Sequence, residues 1–332
     1  MAPKADESVR VYGAGILLNN LQALQAEIDG VRQARDIEFI HRMRVASRRL
    51  RSALTIFEGC LPASKRERWI NEIQGVTRAL GAARDLDVQI ELVRNFEKSL
   101  ADPVNRPGAR RLLLRLSQRR VRRQAKVIQA LEVLEANQTI PKMGAKLIPL
   151  DGQRDKIYLF SPALYQLSFD VNSVQLDNLL AFDAIAGNVD EVEAHHAMRI
   201  AAKKLRYSLE AFAPLYENEL KEPLSVLRNI QDALGEIHDC DVWAAFLPQF
   251  INDESQRTQQ YFGSLKTMKR LIPGLLFFEQ NRHQSRLDNF QSFSSQWQTL
   301  KDNGHWQVVR DLLQTPFNLN KAKEASATPY VA

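Results

Sequence analysis

The chain has 332 residues, of which 45% are hydrophobic and 25% charged, with a net charge of +6. That is apolar material for one large domain or two ordinary ones. Two cysteines, Cys60 and Cys240, with no CxxC spacing exclude a disulfide framework or a cysteine zinc site, and no apolar run nears the ~20 residues that span a bilayer.

The first residues, MAPKADESVR, are charged and lack the apolar stretch of a signal peptide. A cytoplasmic protein with reduced thiols is therefore expected. Apolar residues then recur at helical spacing over 9–33, 36–60, 64–82, 85–101 and 108–136. Breaks are expected near Gly30, Gly59, Pro62, Gly81, Pro103 and Pro107. Residues 137–162, rich in proline and glycine, read as a linker, with KIYLF a short strand candidate. A helix over 163–182 comes next. A second helical series covers 190–217, 220–236, 239–260 and 262–314, the last broken near Pro273. The expected organisation is a first helical half at 9–136, a second at 163–315 and a disordered tail at 316–332. Charge divides unevenly. Residues 1–136 hold 25 Lys+Arg against 16 Asp+Glu, and residues 137–332 hold 20 against 23. A basic front half points to a polyanionic partner.

The two halves repeat one another. HRMRVASRRLRSAL begins at His41 and HAMRIAAKKLRYSL at His196. Over 41–57 and 196–212, eight of 17 positions are identical: His41/His196, Met43/Met198, Arg44/Arg199, Ala46/Ala201, Leu50/Leu205, Arg51/Arg206, Leu54/Leu209 and Phe57/Phe212. Arg48 and Arg49 become Lys203 and Lys204, so charge is kept. LGAARDLDV at 80–88 and LGEIHDCDV at 234–242 follow in the same order.

On a helix, His41, Arg44, Arg48 and Arg51 fall within an arc of about 80°. His196, Arg199, Lys203 and Arg206 do the same, and in both copies the apolar residues take the opposite side. Each stripe is roughly 15 Å long. A solvated helix face normally mixes in Glu or Asp at i±4, yet residues 39–57 contain no acid. Such repulsion has to be offset by an external anion or by acids on neighbouring helices. A third cationic run lies between Pro103 and Leu131, with nine Lys+Arg and no acid. There Arg111, Arg115, Arg119, Arg122 and Lys126 share another arc of about 80°, and Arg120 interrupts the apolar side. Arginine's planar fork suits bidentate phosphate contacts.

These blocks resemble the CHAD family, the conserved-histidine α-helical domains. HRMRVASRRLRSAL with LGAARDLDV is similar to its N-terminal signature, and HAMRIAAKKLRYSLEAF with LGEIHDCDV to its C-terminal one. The resemblance implies an all-α fold of two pseudo-twofold-related four-helix bundles forming one CHAD unit. It also implies a central basic surface or pore that binds inorganic polyphosphate, a link to polyphosphate granules, and no established catalysis or cofactor. By position, the implied contacts are His41, Arg44, Arg48 and Arg51 with His196, Arg199, Lys203 and Arg206. Arg49 and Lys204 match basic positions at the edge of the arc. His238 stands where the first block has Arg84.

Asp85/Asp87 and Asp239/Asp241 form two DxD pairs. On a helix, residues i and i+2 point about 200° apart, which spoils shared metal coordination. They are expected to cap helices after Gly81 and Gly235, or to orient the arginines. Ligation of Mg2+ with phosphate is the subordinate reading. His195–His196 lacks metal-ligand spacing. ENELK at 217–221 fits the ExExK of CYTH triphosphatases, but those place it on a strand. Nucleotide-binding and nucleophile motifs are missing from the sequence. Non-catalytic polyphosphate binding leads. An RNA- or DNA-binding protein is the alternative, since nucleic acid is also a polyanion, although the stripes hold few aromatic platforms. Metal-assisted polyphosphate or triphosphate hydrolysis through the DxD pairs is the third reading.

Overall fold

The computed structural model of the protein describes residues 6–34 and 36–314. The described residues form α1 (Glu7–Ala26), α2 (Ile28–Gln33), α3 (Ile37–Ile56), α4 (Ala63–Ser99), α5 (Arg106–Ala136), α6 (Thr139–Asp151), α7 (Pro162–Leu180), α8 (Val192–Phe212), α9 (Lys221–Phe262), α10 (Met268–Asp302) and α11 (His305–Gln314), with short 3-10 turns between some of them. The fold is all-α. Local chemistry sets several boundaries. Asp36, in extended backbone, accepts a hydrogen bond from the Glu38 N–H at 2.9 Å and starts α3. Ser161 caps α7, with Pro162 at its first position. Gly263, with φ of 64°, closes α9 in the left-handed conformation.

Five sequence expectations change. Gly81 and Gly235 do not break the chain: α4 runs 37 residues and α9 runs 42, each as one helix. The DxD pairs therefore sit mid-helix and cap nothing. Pro273 lies inside α10, and the break before the last helix falls at Asn303 and Gly304 instead. Residues 137–162 are no simple linker. They hold α6, which packs on α1 and buries Met143 and Leu147 completely. KIYLF is not a strand; Tyr158 and Phe160 within it are exposed. The expected tail at 316–332 lies outside the described residues.

The halves use their helices alike. In the first, α1, α3, α4 and α5 pack in succession; in the second, α7, α8, α9 and α10 do so. Apolar burial falls into two cores. The larger gathers the inner faces of α3 (Met43, Leu50, Leu54) and α8 (Met198, Leu205, Leu209) with α1, α6 and parts of α4 and α9. It runs through both halves. The smaller joins the far ends of α4, α5, α9 and α10 through Phe96, Leu112, Trp243, Phe250 and Phe278. There α5 and α10 cross closely. A Cβ on Gly108 would strike the Leu271 carbonyl, and one on Gly274 the Asn105 carbonyl.

Between the cores the four long helices turn polar. Buried apolar residues stop at Ala83 on α4 and resume at Val93. On α5 the gap runs from Leu116 to Val127, and on α10 from Phe278 to Phe293. On α9, His238, Asp239 and Asp241 fall between Ile237 and Trp243. The charged motifs thus lie in one band.

The seam between the halves is aromatic. Tyr12 of α1 lies against Phe57 and Phe212, with ring centroids 5.9 and 6.4 Å away, and those two phenylalanines are 5.4 Å apart. The Tyr12 hydroxyl donates to the Ala211 carbonyl at 2.8 Å, satisfying an acceptor in the last turn of α8. Phe57 and Phe212 are the last identical pair of the block at 41–57 and 196–212. Phe57→Ala and Phe212→Ala should each cost about 3–5 kcal/mol, and Tyr12→Phe about 1–2 kcal/mol through the orphaned carbonyl. In urea denaturation the two phenylalanine effects should combine non-additively, because the rings touch.

Candidate functional site

Each stripe helix is fixed from beneath. Met43, Leu50 and Leu54 are fully buried under α3, and Met198, Leu205 and Leu209 under α8, so the cationic sides must face outward from that core. The helices α3 and α8 are themselves in contact, with α4 beside α3 and α9 beside α8. Their cations consequently crowd one another. Arg44 feels Arg48 and Arg199; Arg199 feels Arg48; Lys203 feels Arg48, Arg199, Arg44 and Arg206. The two stripes turn toward a common cleft.

Burial and that crowding depress the pKa of several of these cations. Lys203 is pushed down to about 7, first by burial and then by the four arginines around it. Arg44, Arg51 and Arg199 are lowered for the same leading reason. The buried Nε atoms of Arg44, Arg51, Arg199 and Arg206 have no hydrogen-bond partner among the described residues. Buried donors normally find one. The guanidiniums rest on the neighbouring helices. A Cβ on Gly81 would lie 3.7 Å from Arg44 Nε, and one on Gly235 4.0 Å from Arg199 Nη1. Those are ordinary contacts, so the glycines mark a resting place and are not sterically required.

The DxD pairs split as helical geometry requires. Asp85 faces the cleft, 3.7 Å from Arg44 Nη2. Asp239 holds the matching place near Arg199. Asp239 is exposed, with other groups packed closely around it. Burial, with Glu236 and Asp85 nearby, pushes it up to about 6 against the pull of Arg199; it is ionised at neutral pH. The second aspartates turn away. Asp87 takes Arg120 of α5 at 2.7 Å, and Asp241 takes Arg286 of α10 at 2.5 Å. Each motif supplies one carboxylate to the cleft and one clamp between long helices.

The histidines sit at one end of the stripes. Burial and Arg84 keep His41 below its usual value; burial, Arg199 and Lys203 do so for His196. His196 and His238 meet Nδ1 to Nδ1 at 3.0 Å, and His238 is pushed down to about 4 by burial, Arg199 and His196. Both rings are neutral at pH 7, one donating and one accepting. Among the described residues, no three His, Cys, Asp or Glu side chains converge as a metal-holding group.

The structure thus brings together His41, Arg44, Arg48, Arg51, His196, Arg199, Lys203 and Arg206. Arg49 is separate: it reaches across to Glu210 of α8 at 2.9 Å, and Glu210 also holds Arg206 at 3.4 Å. Lys204 is exposed beside the stripe. The α5 series does not join the cleft. Arg111 and Arg115 bind the fully buried Glu254 of α9 at 2.9 and 2.6 Å. Arg119 stacks on Phe246, 5.0 Å from the ring centre, and Arg122 bonds back to the Gln118 carbonyl. Glu254 lies roughly 22 Å along α9 from Asp239, at the smaller core. Arg84, His238 and the clamp arginines Arg120 and Arg286 were not singled out as site residues from the sequence. Arg120 had one signal, its intrusion on the apolar side of α5.

The CHAD domain family model matches residues 15–248. The chain belongs to the CHAD domain family. Among solved structures, the crystal structure of the CHAD domain from the plant Ricinus communis is similar, with 25% identity and a TM-score of 0.63 over 89% of this chain and 94% of that one. PptA from Streptomyces chartreusis has 16% identity and a TM-score of 0.58 over 86% of this chain and 98% of its own, which shows a shared fold. A comparison with curated proteins gave no significant match. The CHAD match covers the whole cleft, both DxD blocks included.

Lys203 gives the CHAD cleft a pH signature. Its ammonium titrates near 10.5 when unfolded and near 7 when folded. Between those values the unfolded chain holds the extra proton, so the unliganded fold gains stability as pH rises from about 7 toward 10. Lys203→Met should flatten that rise and lift Tm by a few degrees at neutral pH, read by thermal denaturation across pH. A Tm that falls in Lys203→Met would place the ammonium outside the crowded cleft.

Proposed function

We propose that this CHAD chain binds inorganic polyphosphate, without cleaving it, along the cleft between α3 and α8. One observation carries the reading: cationic stripes from the two halves lie on helices in contact with each other and converge closely enough for Arg44, Arg48, Arg199 and Lys203 to feel one another's charge. A chain of phosphates supplies what the cleft lacks, namely closely spaced negative charge along a line. Arg44, Arg48 and Arg51 bind from one wall, and Arg199, Lys203 and Arg206 from the other. His41 and His196 donate or accept at the end. Asp85 and Asp239 orient Arg44 and Arg199. With Asp87 and Asp241 used as clamps, each DxD keeps one carboxylate at the cleft, and binding proceeds with no bond broken. Association with polyphosphate granules follows from the same chemistry. Nucleic acid is the weaker fit. Tyr207, the aromatic residue beside the second stripe, is 9% exposed and lies near the Arg206 guanidinium, 5.1 Å from its carbon, so it offers bases no open platform.

Long-chain polyphosphate should bind far more tightly than tripolyphosphate, and orthophosphate weakest, with a steep loss of affinity as salt rises. Equal affinity for orthophosphate and long chains would overturn the reading, and easy displacement by RNA would name nucleic acid as the ligand. Arg44→Glu with Arg199→Glu should weaken binding by about 100-fold or more while the helical circular dichroism stays native, because the reversal relieves repulsion. Retained binding would move the site elsewhere.

Binding should also restore the Lys203 proton. At about pH 8 the free protein holds Lys203 mostly neutral, and an anion beside it favours the ammonium. Calorimetry in buffers of different ionisation enthalpy should register proton uptake at that pH, lost in Lys203→Met. Chain length should stay unchanged on prolonged incubation with Mg2+; phosphate release abolished by Asp85→Ala or Asp239→Ala would establish hydrolysis instead.

A further inference from the structure

A second basic feature lies outside the cleft. Where α4 and α5 run side by side they leave an open groove of about 630 Å3, rimmed by Arg78 of α4 and by Arg123 and Lys126 of α5. Its floor is built of small and apolar groups, among them Gly75, Val76 and Ala79. All three cations are exposed. Arg78 and Arg123 have no carboxylate partner among the described residues, and Lys126 bonds only to the neutral Gln129, at 3.3 Å. The acid lining the groove, Glu72, is already engaged by Arg68, Asn137 and Thr139. The groove is thus a cationic trough with its one carboxylate spent.

It also adjoins the cleft. Arg78 lies about one turn along α4 from Gly81, where Arg44 rests, on the helix that packs against α3, and its charge reaches Arg51 at the end of the α3 stripe. Arg78 belongs to both surfaces. It is the last cation reached from Arg51 and the first of the groove. No aromatic residue lines the trough, so it has no platform for a base, whereas a flexible chain carrying a charge at every unit meets a cation on each side.

We infer that the α4/α5 groove is a second anchoring segment for a long polyphosphate, which leaves the cleft past Arg51 and Arg78 and lies between Arg78, Arg123 and Lys126. This rests on the reading of the cleft as a polyphosphate site. It predicts two classes of ligand. A chain short enough to end inside the cleft never meets the groove; a long chain uses both segments, the second at high effective concentration.

The test uses the full chain, with tripolyphosphate and long-chain polyphosphate as probes. Arg123→Gln with Lys126→Gln should leave tripolyphosphate affinity unchanged, weaken long-chain binding by about tenfold and shrink the slope of log affinity against log salt by about 1.4. Gly75→Leu separates occupancy from mere attraction. It keeps every charge, fills the trough, and meets no atom within 4 Å of its Cβ, while leucine improves the helix. It should weaken long chains only. If both variants bind long chains as the parent does, while tripolyphosphate still binds, the groove inference falls and the cleft stands. If the parent binds neither probe, the cleft reading itself fails. If Arg123→Gln with Lys126→Gln weakens long chains and Gly75→Leu does not, the groove acts by field alone and the anchoring segment is wrong.

Discussion

Crowded like charge, partly withdrawn from water, is the constraint around which this protein is arranged. Three cations per stripe on α3 and α8 repel across a narrow cleft, and burial together with that repulsion brings Lys203 to about 7. Asp85 and Asp239 at the cleft, with Glu210 at Arg206, relieve only part of that, three carboxylates against at least six cations. The offset comes from elsewhere. Met43, Leu50 and Leu54, with their counterparts on α8, hold each helix from below, and burying a side chain of that size contributes ~1.5–3 kcal/mol. Apolar packing on one side of a helix thus holds electrostatic tension on the other. A site organised before its ligand arrives needs this division, because preorganised donors lose little on binding.

The clamps give the arrangement depth. Arg120–Asp87 and Arg286–Asp241 lie in the polar band between the two cores, each tying a site-bearing helix to its hairpin partner. At the smaller core Glu254 of α9 instead ties the two halves, through Arg111 and Arg115 of α5, with Arg257 joining from its own helix. These are partly or wholly buried pairs, and removing one member of such a pair is costly because the other is left uncompensated. The basic composition of α5 is therefore largely architectural at its start, where Glu254 absorbs it. Arg110 there is exposed and pairs with Glu97, and Arg122, Arg123 and Lys126 are exposed farther along.

The repeat carried much of the fold and most of the cleft in plain sight. Identical spacing of His, Arg and apolar residues over 41–57 and 196–212 is a helical signal, since side-chain direction follows from 3.6 residues per turn. The cleft could be named because both copies keep the stripe. What stayed hidden depends on partners far along the chain. No local pattern separates Arg111, paired with a glutamate 143 residues away, from Arg44, which keeps an unpaired nitrogen. Glycine misled for a similar reason. Gly81 and Gly235 have the composition of a helix stop, yet packing of α4 and α9 against both cores carries the helix through them. Residues 137–162 read as a linker, yet α6 forms within them because Met143 and Leu147 find a hydrophobic surface on the first core that the sequence does not display.

The aromatic seam has a consequence for how a chain molecule enters and leaves. Tyr12, Phe57 and Phe212 bolt the halves together within one continuous core, so the walls of the cleft have no hinge at that end. A slot anchored at that end gives the proposed polyphosphate a fixed row of charges to lie on, and on that proposal release of a long chain would slow with the number of units to be withdrawn.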